Sequence, residues 1–298
     1  MAIEGSNFSN IEKHHLELKY SQKLQLLAQQ QNSKLESCVT VENGLKGNNV
    51  CAANQIGTFS TRERTGRFQE THIVDIDRTQ RWYAPKMFDG AALFDNWDRI
   101  RMEITPEDKV LDSMRAAYKR DIDTVILDNY FAANKTGKSA AETTAYDTAM
   151  TIGKDAGAGD ILKKLILART KFVNRNIDIE SEEIFCLVPA EMENELMAAG
   201  IYLSSDYMND KAVTGKKLPA YGGINFVRTT LLKPSDGKIL CPIFCKSGVG
   251  LGKWMDIQVK VSERADLSYA NQIHIAYALG ATRLEEAKCG AIEVAVAA

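Results

Sequence analysis

Apolar side chains recur at spacings of three and four between Val110 and Tyr130, which is the longest helical pattern in the sequence. This period places them on one face of a helix. Thr105, Pro106 and the two acids that follow are typical of a helix start, because the hydroxyl caps the first turn and the acids favour its positive end. The pattern stops at residues 134–137, Asn-Lys-Thr-Gly. We predict one long amphipathic helix here.

Two further helices are predicted, one on each side of the long helix. After the glycine-rich break at 157–159, Asp160 can cap a helix. Its apolar positions are Ile161, Leu162, Leu165, Ile166 and Phe172. Near the amino terminus, residues 10–36 carry a narrow apolar stripe among glutamines and lysines. We expect an amphipathic helix that needs a partner surface, because an isolated helix of this length is marginal.

Residues 60–103 lack a helical period and contain short alternating runs, such as the six residues that begin at His72. Bases and acids are equal in number in this segment, eight of each. The pattern predicts a long, exposed β-hairpin. Ordering about 40 residues costs roughly 1–2 kcal/mol each, whereas burial returns about 25 cal/mol per Å² of apolar surface. A hairpin this polar needs a neighbouring subunit against which its aromatic side chains can pack.

The same segment supplies the residues that we predict at contacts between subunits. Its three arginines near position 65 could touch nucleic acid, but the adjacent acids favour contact with a neighbouring subunit. Asp75 and Asp77 would share one strand face and lie close enough to Arg78 and Arg81 for salt bridges. The predicted contact residues are Arg62, Arg64, Arg67, Asp75, Asp77, Arg78, Arg81, Trp82, Tyr83, Phe88 and Trp97.

The pattern changes after the second helix. A strand-like run from Ile184 to Val188 stops at Pro189, and a short helix follows through Met197. From Gly222 onward, strand runs alternate with turns. These runs are INFVRTTLL, ILCPIFC, DIQVKV, QIHIAYAL and AIEVAV. Helices followed by a succession of strands predict a mixed α+β fold.

Composition narrows the classes of protein. The 298 residues are 45% hydrophobic, enough for a buried core. Lys and Arg total 37 against 39 Asp and Glu, so the net charge of -2 gives no reason to expect tight, general binding to nucleic acid or to an anionic membrane. We find no secretory signal and no membrane-spanning run. A soluble protein made in a reducing cytoplasm is expected, with six free cysteines.

Two motifs invite a chemical interpretation. The glycines of Ser247–Lys253 resemble a phosphate-binding loop, but Trp254 and a strand follow where such a loop has Ser or Thr and a helix. An ordinary glycine turn is favoured. Cys241 and Cys245 lack the second ligand pair that a closed zinc site requires. Buried strand cysteines are therefore favoured.

The histidines supply no catalytic group. His14 and His15 are consecutive on a predicted helix, so they point about 100° apart and belong at a surface or interface. His72 and His274 lie in strand-like runs, with no Ser or Cys nucleophile beside them in a recognisable motif. We predict no enzymatic activity, no cofactor and no metal. A cytosolic nucleotide-dependent enzyme that uses residues 247–253 is the alternative from another class.

Five features, in this order, resemble a major capsid protein of tailed bacteriophages with the Hong Kong 97-like capsid fold. A strand ends in a proline-headed helix, a Gly-Ile strand follows, and a glycine-rich segment comes next. A Glu-Arg-x-Asp step and a Gly-Ala-x-Arg turn complete the series. The matching positions are Pro189, Gly223-Ile224, 248–252, 263–266 and 280–283. The resemblance covers essentially the whole chain.

The resemblance implies a division of the chain into five parts. They are a helical amino-terminal arm at 1–50, an extended β-hairpin loop at 51–104, a spine helix with peripheral domain at 105–154, an axial domain at 155–253, and peripheral-domain strands with the carboxyl terminus at 254–298. It also implies a subunit that self-assembles into hexamers and pentamers of an icosahedral shell around double-stranded DNA.

Partners and location follow from the same resemblance. The implied partners are other copies of the chain, a portal protein, scaffolding or decoration proteins, and packaged DNA held non-specifically, with no membrane. The protein would be made in the cytoplasm of a bacterial host and reside in the virion. Lys86 is a conceivable donor for the isopeptide bond of one capsid branch, but no matching Glu and Asn are found, and no cross-link is predicted.

Two alternatives stay within structural proteins. Encapsulins resemble the same fold but enclose an enzyme cargo, and co-purifying material would distinguish them. Another phage structural protein, such as a tail or head-decoration subunit, would not need the long spine helix.

Overall fold

The computed structural model describes residues 27–94, 107–153, 160–198, 218–235 and 237–295. Three α-helices and thirteen β-strands lie in these ranges, which confirms the mixed α+β class. The helices are α1 (Glu107–Phe131), α2 (Ile161–Asn174) and α3 (Ala190–Ala198). The strands are β1 (Thr40–Asn43), β2 (Val50–Ile56), β3 (Arg78–Tyr83), β4 (Lys86–Phe94), β5 (Asn134–Thr136), β6 (Glu142–Thr144), β7 (Thr151–Ile152), β8 (Ile184–Val188), β9 (Ile224–Arg228), β10 (Lys238–Cys245), β11 (Val249–Arg264), β12 (Ala270–Arg283) and β13 (Cys289–Ala295).

The helices after residue 106 confirm their predictions. Helix α1 fills the predicted long helix, although its proposed cap at Thr105 and Pro106 lies outside the described residues. Helix α2 begins after Asp160, whose Oδ1 accepts a hydrogen bond from the Leu162 amide at 3.0 Å. This bond satisfies one of the amides that a helix start leaves unpaired. Helix α3 follows Pro189, as predicted.

The predicted amino-terminal helix over 10–36 falls largely on residues 1–26, which lie outside the described residues, as do His14 and His15. Residues 27–35 form no helix, and a single 3₁₀ turn follows at Glu36–Cys38. The prediction is therefore wrong for its last part. Here, side-chain hydrogen bonds to α1 fix an extended path in place of a helical one.

The first sheet has the strand order β1-β11-β12-β4, with β1 parallel to β11 and the other pairs antiparallel. Helix α1 lies across one face of it. The helix contributes residues four apart, and β12 contributes alternate residues, as the two periodicities require. The buried contact side chains are Tyr118, Ile122 and Ile126 from α1 and Ile275, Tyr277 and Leu279 from β12.

Two reciprocal hydrogen bonds fix α1 on this sheet. The Tyr118 hydroxyl donates to Asp256 on β11, and the Tyr277 hydroxyl on β12 donates to Asp121 on α1. The two tyrosine rings meet edge to face with centroids 4.8 Å apart. Each hydroxyl thus keeps a partner while its ring packs between helix and sheet, a favourable arrangement for a buried tyrosine.

The second sheet has the order β7-β13-β10-β8-β9. Its alternate residues face opposite sides, as in any strand. Cys186 and Ile243 pack with α2 and α3, whereas Leu187 and Phe244 pack with α1. This sheet therefore lies between α1 and the two shorter helices, and it joins the two hydrophobic clusters of the subunit.

Strand β13 belongs to the second sheet and not to the first, which contains β11 and β12. The run AIEVAV, assigned with 254–298 to the peripheral domain, lies in the second sheet between β7 and β10. The predicted boundary after Lys253 also falls inside the long strand β11. The sequence alone did not reveal which sheet β13 joins, because the strand is apolar enough to fit either one.

The third sheet is small and has the order β2-β3-β5-β6. Strands β2 and β3 form an antiparallel hairpin, and β5 and β6 attach it to the chain just after α1. None of the helices in the described ranges is both long and apolar enough to cross a membrane.

Candidate assembly surfaces

Residues 58–77, which we call the loop segment, join β2 to β3 and lie outside the sheets. The strand pairing ends beside Gly57, whose amide donates to the Asp77 carbonyl at 2.7 Å. Beyond that bond, nearly every side chain of the loop segment is exposed. Three large apolar side chains are among them, with exposed fractions of 60% for Phe59, 95% for Phe68 and 88% for Ile73. The loop segment thus presents apolar surface that its own subunit does not cover.

The observed hairpin differs from the one predicted over 60–103. Pairing joins β2 to β3, and β4 instead forms the edge of the first sheet beside β12. Phe88 on β4 stacks on Tyr277 with ring centroids 5.3 Å apart. Packing of this apolar face against β12 explains why β4 leaves the hairpin. Trp97 lies outside the described residues.

Charges are unevenly placed along the loop segment. Arg62, Arg64 and Arg67 lie near its middle, and Asp75 and Asp77 near its return to β3; all five are exposed. Among the arginines, Arg62 donates to the Glu70 carbonyl at 3.3 Å and Arg64 to the Gly66 carbonyl at 3.1 Å. These bonds shape a turn and leave the charges facing solvent.

The predicted ion pair of Arg81 with the two aspartates is wrong. Arg81 is buried and donates to Glu286 at 3.3 Å, on the far side of the hairpin from the loop segment. Arg78 and Arg81 differ in exposure because strand residues an odd number of positions apart point to opposite faces of the sheet. Arg78 is exposed beside Asp77.

The root of the hairpin is fixed to the body of the subunit. Tyr83 is fully buried over Gly250, and the Trp82 indole donates to the Gly137 carbonyl at 2.7 Å. Tyr83 therefore has no surface left for a neighbouring subunit, contrary to its predicted role, and Trp82 is half-buried. The loop segment extends from a rigid base.

A buried arginine connects this base to α1. The Gly-Ala-x-Arg sequence at 280–283, predicted as a turn, is the last part of strand β12. Its Arg283 donates from Nη1 to the carbonyls of Tyr130 and Ala132, the latter at 2.8 Å. Its Nε donates to Glu286 at 2.8 Å, and Glu286 also accepts from Arg81. The guanidinium thus satisfies carbonyls at the end of α1, which a helix leaves unpaired. One carboxylate joins the helix end to the hairpin base.

The residues before β1 are held by a buried carboxylate of α1. Asp123 accepts from the amides of Lys34 and Leu35, both at 3.1 Å, from the Ser33 hydroxyl at 2.5 Å and from the Gln30 side-chain amide at 2.5 Å. A carboxylate with this many donors is fully satisfied although buried. It holds residues 30–35 against α1.

A second carboxylate supports the same segment. Glu36 accepts from Lys119 of α1 at 2.8 Å and from Lys253 of β11 at 2.5 Å. Burial by itself disfavours the charged carboxylate, but the two ammonium groups outweigh it and lower the pKa of Glu36 below its usual value. Glu36 is therefore ionised at neutral pH and joins the segment, the helix and the first sheet.

The outer face of β4 carries apolar residues that the predicted contact set omits. Met87 and Leu93 are exposed, while Phe88 between them packs inward. Met87 and Leu93 are an even number of residues apart, which places them on one face of a strand. This spacing could have predicted a shared apolar surface from the sequence. We add both side chains to the candidate contact surface.

The glycine run at 247–253 proves to be part of a strand. Most of it belongs to β11, paired with β1 on one side and β12 on the other, so the predicted glycine turn is wrong. The absence of side chains at Gly250 and Gly252 leaves room for the Tyr83 ring. Close packing explains these glycines without any ligand.

The cysteines of the second sheet are buried in strands, as predicted. Burial raises the pKa of the Cys186 thiol to about 12, and that of Cys245 likewise to about 12. Both thiols are therefore protonated and unreactive at neutral pH. Within the described residues, no group of His, Cys, Asp or Glu side chains is placed to hold a metal ion.

Comparison with known proteins gives a consistent result. A family model described as phage capsid protein matches residues 13–296. No curated protein matches the sequence. The solved capsid structure of the cyanophage P-SCSP1u has a TM-score of 0.71 at 14% identity, with 96% of this chain and 94% of that chain covered.

Two further structures are similar at lower identity. The capsid of the cyanophage Pam1 has a TM-score of 0.73 at 8% identity and is covered over 100% of both chains. The capsid of Ralstonia phage GP4 has a TM-score of 0.72 at 10% identity, with 96% of each chain covered. At these identities, the likeness lies in the fold.

Proposed function

The chain belongs to the phage capsid protein family, and from this membership we propose how its copies join into a shell. It is a major capsid protein, a structural subunit of a phage head, with the Hong Kong 97-like fold. The finer proposal is that hexamers and pentamers of the chain form an icosahedral wall around double-stranded DNA. Its activity is assembly and not catalysis.

The observation that carries the mechanism is the exposed loop segment. It places Phe59, Phe68 and Ile73 in solvent on a stretch with few hydrogen bonds to its own subunit. Holding such a stretch in one conformation costs about 1–2 kcal/mol per residue in backbone entropy. A neighbouring subunit that covers these side chains offsets the cost. We assign the loop segment, with its exposed Arg62, Arg64, Arg67, Asp75 and Asp77, to that contact, together with the exposed Arg78 at the start of β3.

We propose that the division into domains follows the sheets. We assign the second sheet with α2 and α3 to the axial domain, which adds Cys289–Ala295 to the predicted range 155–253. The first sheet with α1 corresponds to the spine helix and peripheral domain. We assign the described residues from 27 to about 39 to the predicted arm, and β2, β3 and the loop segment to the extended loop.

Partners beyond other copies of the chain are also proposals. The wall would lie in the virion after synthesis in a bacterial cytoplasm, with a portal protein at one vertex and scaffolding or decoration proteins as transient or outer partners. A net charge of -2 suits a wall that confines DNA without holding it. Contacts with DNA would then be few and non-specific.

Electron microscopy of the purified protein tests the proposal. We expect shells, rings or tubes under assembly conditions. A protein that stays strictly monomeric under every assembly condition would contradict it. Particles recovered from an expressing cell also distinguish the encapsulin alternative, because a specific enzyme cargo inside them, and no DNA-packaging partner, would favour that class.

A further inference from the structure

Helix α2 has a second apolar face that its own subunit leaves uncovered. Its buried face, which includes Leu165 and Phe172, packs into the core of the second sheet. On the opposite side, Ile166 is 51% exposed and Val173 is 53% exposed, with Leu167 beside them. A surface helix is normally polar on the side away from its core. Ile166 is one of the apolar positions that predicted this helix, and its exposure reveals the second stripe.

The charges around the stripe are of one sign. Helix α2 contains four bases and no acid. Two of these bases bind inside the subunit, where Lys164 donates to the Glu293 carbonyl at 2.9 Å and Lys171 to the Ala149 carbonyl at 2.7 Å. The other two, Lys163 and Arg169, are exposed. The exposed side of α2 is thus apolar in its centre and basic at its margins.

Helix α3 has the opposite charge. It contains Glu191, Glu193 and Glu195 and no base. Arg228 binds Glu193 through its Nε at 3.0 and 2.9 Å, while Glu191 and Glu195 are half-exposed around an exposed Asn194. The two helices contact each other on the same side of the second sheet, where α2 also packs against β7 and β13 and α3 against β13 and β8. Their exposed side chains are the parts of this pair that a neighbouring subunit can reach.

We propose that the exposed face of α2 contacts α3 of the next subunit in the ring. This inference rests on the proposed assembly into rings. In a closed ring of identical copies, two different patches of the chain meet at every contact. Two α2 faces would bring like charges together, whereas α2 against α3 pairs bases with acids. The contact also covers the apolar stripe, which burial favours.

Charge reversal tests this pairing. Lys163→Glu with Arg169→Glu makes the α2 face acidic, and Glu191→Lys with Asn194→Lys makes the α3 face basic. Each double variant should lower the assembled fraction about tenfold or more, since like charges then oppose each other across the contact. All four substitutions in one chain restore opposite signs and should return assembly toward the wild-type level. The readout is sedimentation of assembled particles, with negative-stain microscopy.

Controls separate this contact from folding and from the function itself. Circular dichroism and thermal unfolding of unassembled subunits check that each variant folds. Glu180→Lys with Ser181→Lys is the matched control for the α3 variant. It makes the same charge change on an exposed acidic stretch outside the proposed contact and should assemble normally. Wild-type levels of assembly in both double variants, or no recovery in the fourfold variant, would overturn the pairing. A wild-type protein that forms no particles would overturn the proposed function instead.

Discussion

The ring of Tyr83 lies against Gly250 so closely that a Cβ atom on residue 250 would stand 2.1 Å from the tyrosine hydroxyl oxygen. The hairpin that carries the loop segment is thereby set into the glycine run of the first sheet. A tyrosine from one sheet occupies the space that a glycine of another leaves open. This relationship, and not a ligand, explains the spacing of the glycines.

Gly250→Ala should therefore destabilise the subunit by about 1–3 kcal/mol, as is typical of overpacked sites. Denaturant unfolding of the unassembled protein measures the change. Gly66→Ala is the matched control, because nothing lies within 4 Å of that position and no loss is expected. Equal stability of the two variants would show that the Tyr83 ring moves away freely.

Asp123→Ala should loosen the segment before β1. The change leaves the amides of Lys34 and Leu35 without their partner, at a cost of about 1–3 kcal/mol for a buried group. Trypsin should then cut after Lys34 faster than in the wild type, and limited proteolysis followed by mass spectrometry measures this rate. Asp128→Ala removes an exposed carboxylate from the same helix and should leave the rate unchanged.

Arg283→Met should be among the most damaging substitutions. It removes the donors for the end of α1 and leaves Glu286 with one cation fewer, so we expect a loss of roughly 3–5 kcal/mol, as when one partner of a buried ion pair is removed. Arg264→Met is the control, because its ion pair with Asp266 is exposed to solvent and an exposed pair contributes little to stability. Urea unfolding compares the two. Similar losses would contradict the capping role.

The ion pairs of Glu36 predict that the stability of the subunit depends on pH. Because its folded pKa lies below the usual 4.5, ionised Glu36 stabilises the folded state at pH values above 4.5. This contribution is lost as the pH falls through the lowered folded pKa, since both states are then protonated. The stability difference between wild type and Glu36→Gln should therefore be constant near neutrality and shrink in acid. A difference that grows in acid would contradict the assignment.

Phe59→Ser with Phe68→Ser should separate assembly from folding. Both side chains are largely exposed in the single subunit, so its stability should change by less than about 0.5 kcal/mol. Assembly should be lost, because the proposed neighbour contact loses its apolar centre. Phe59→Leu with Phe68→Leu keeps apolar side chains and should retain assembly. Sedimentation measures particles, and unfolding measures the subunit.

Local patterns in the sequence predicted local structure well. The spacing of three and four residues predicted α1, and Asp160 predicted the start of α2. Both signals lie within a few residues of the element that they specify. The same is true of β8, which ends before Pro189. Family and fold were likewise evident from the order of the carboxyl-terminal motifs.

Relationships between distant residues were not predicted. Arg81 has an acid within a few residues in sequence, yet its partner Glu286 lies more than 200 positions away. Residues 86–94 were predicted to belong to the hairpin. They pair with β12 instead, a strand that lies far away in the sequence. For Ile166, the helical period places the residue between buried and exposed faces, and tertiary packing settles which one.

The position of β13 affects how the subunit is made. This strand pairs with β10 along most of its length and also borders β7, so it occupies an interior place in its sheet although residues 289–295 are synthesised after all the other strands. The strands of the first sheet all end by Arg283, whereas the second sheet stays incomplete until residues 289–295 have been made. Chains interrupted before residue 289 therefore lack an interior strand of the second sheet. Such a chain would leave β7 and one edge of β10 unpaired, and we expect it to be excluded from the wall.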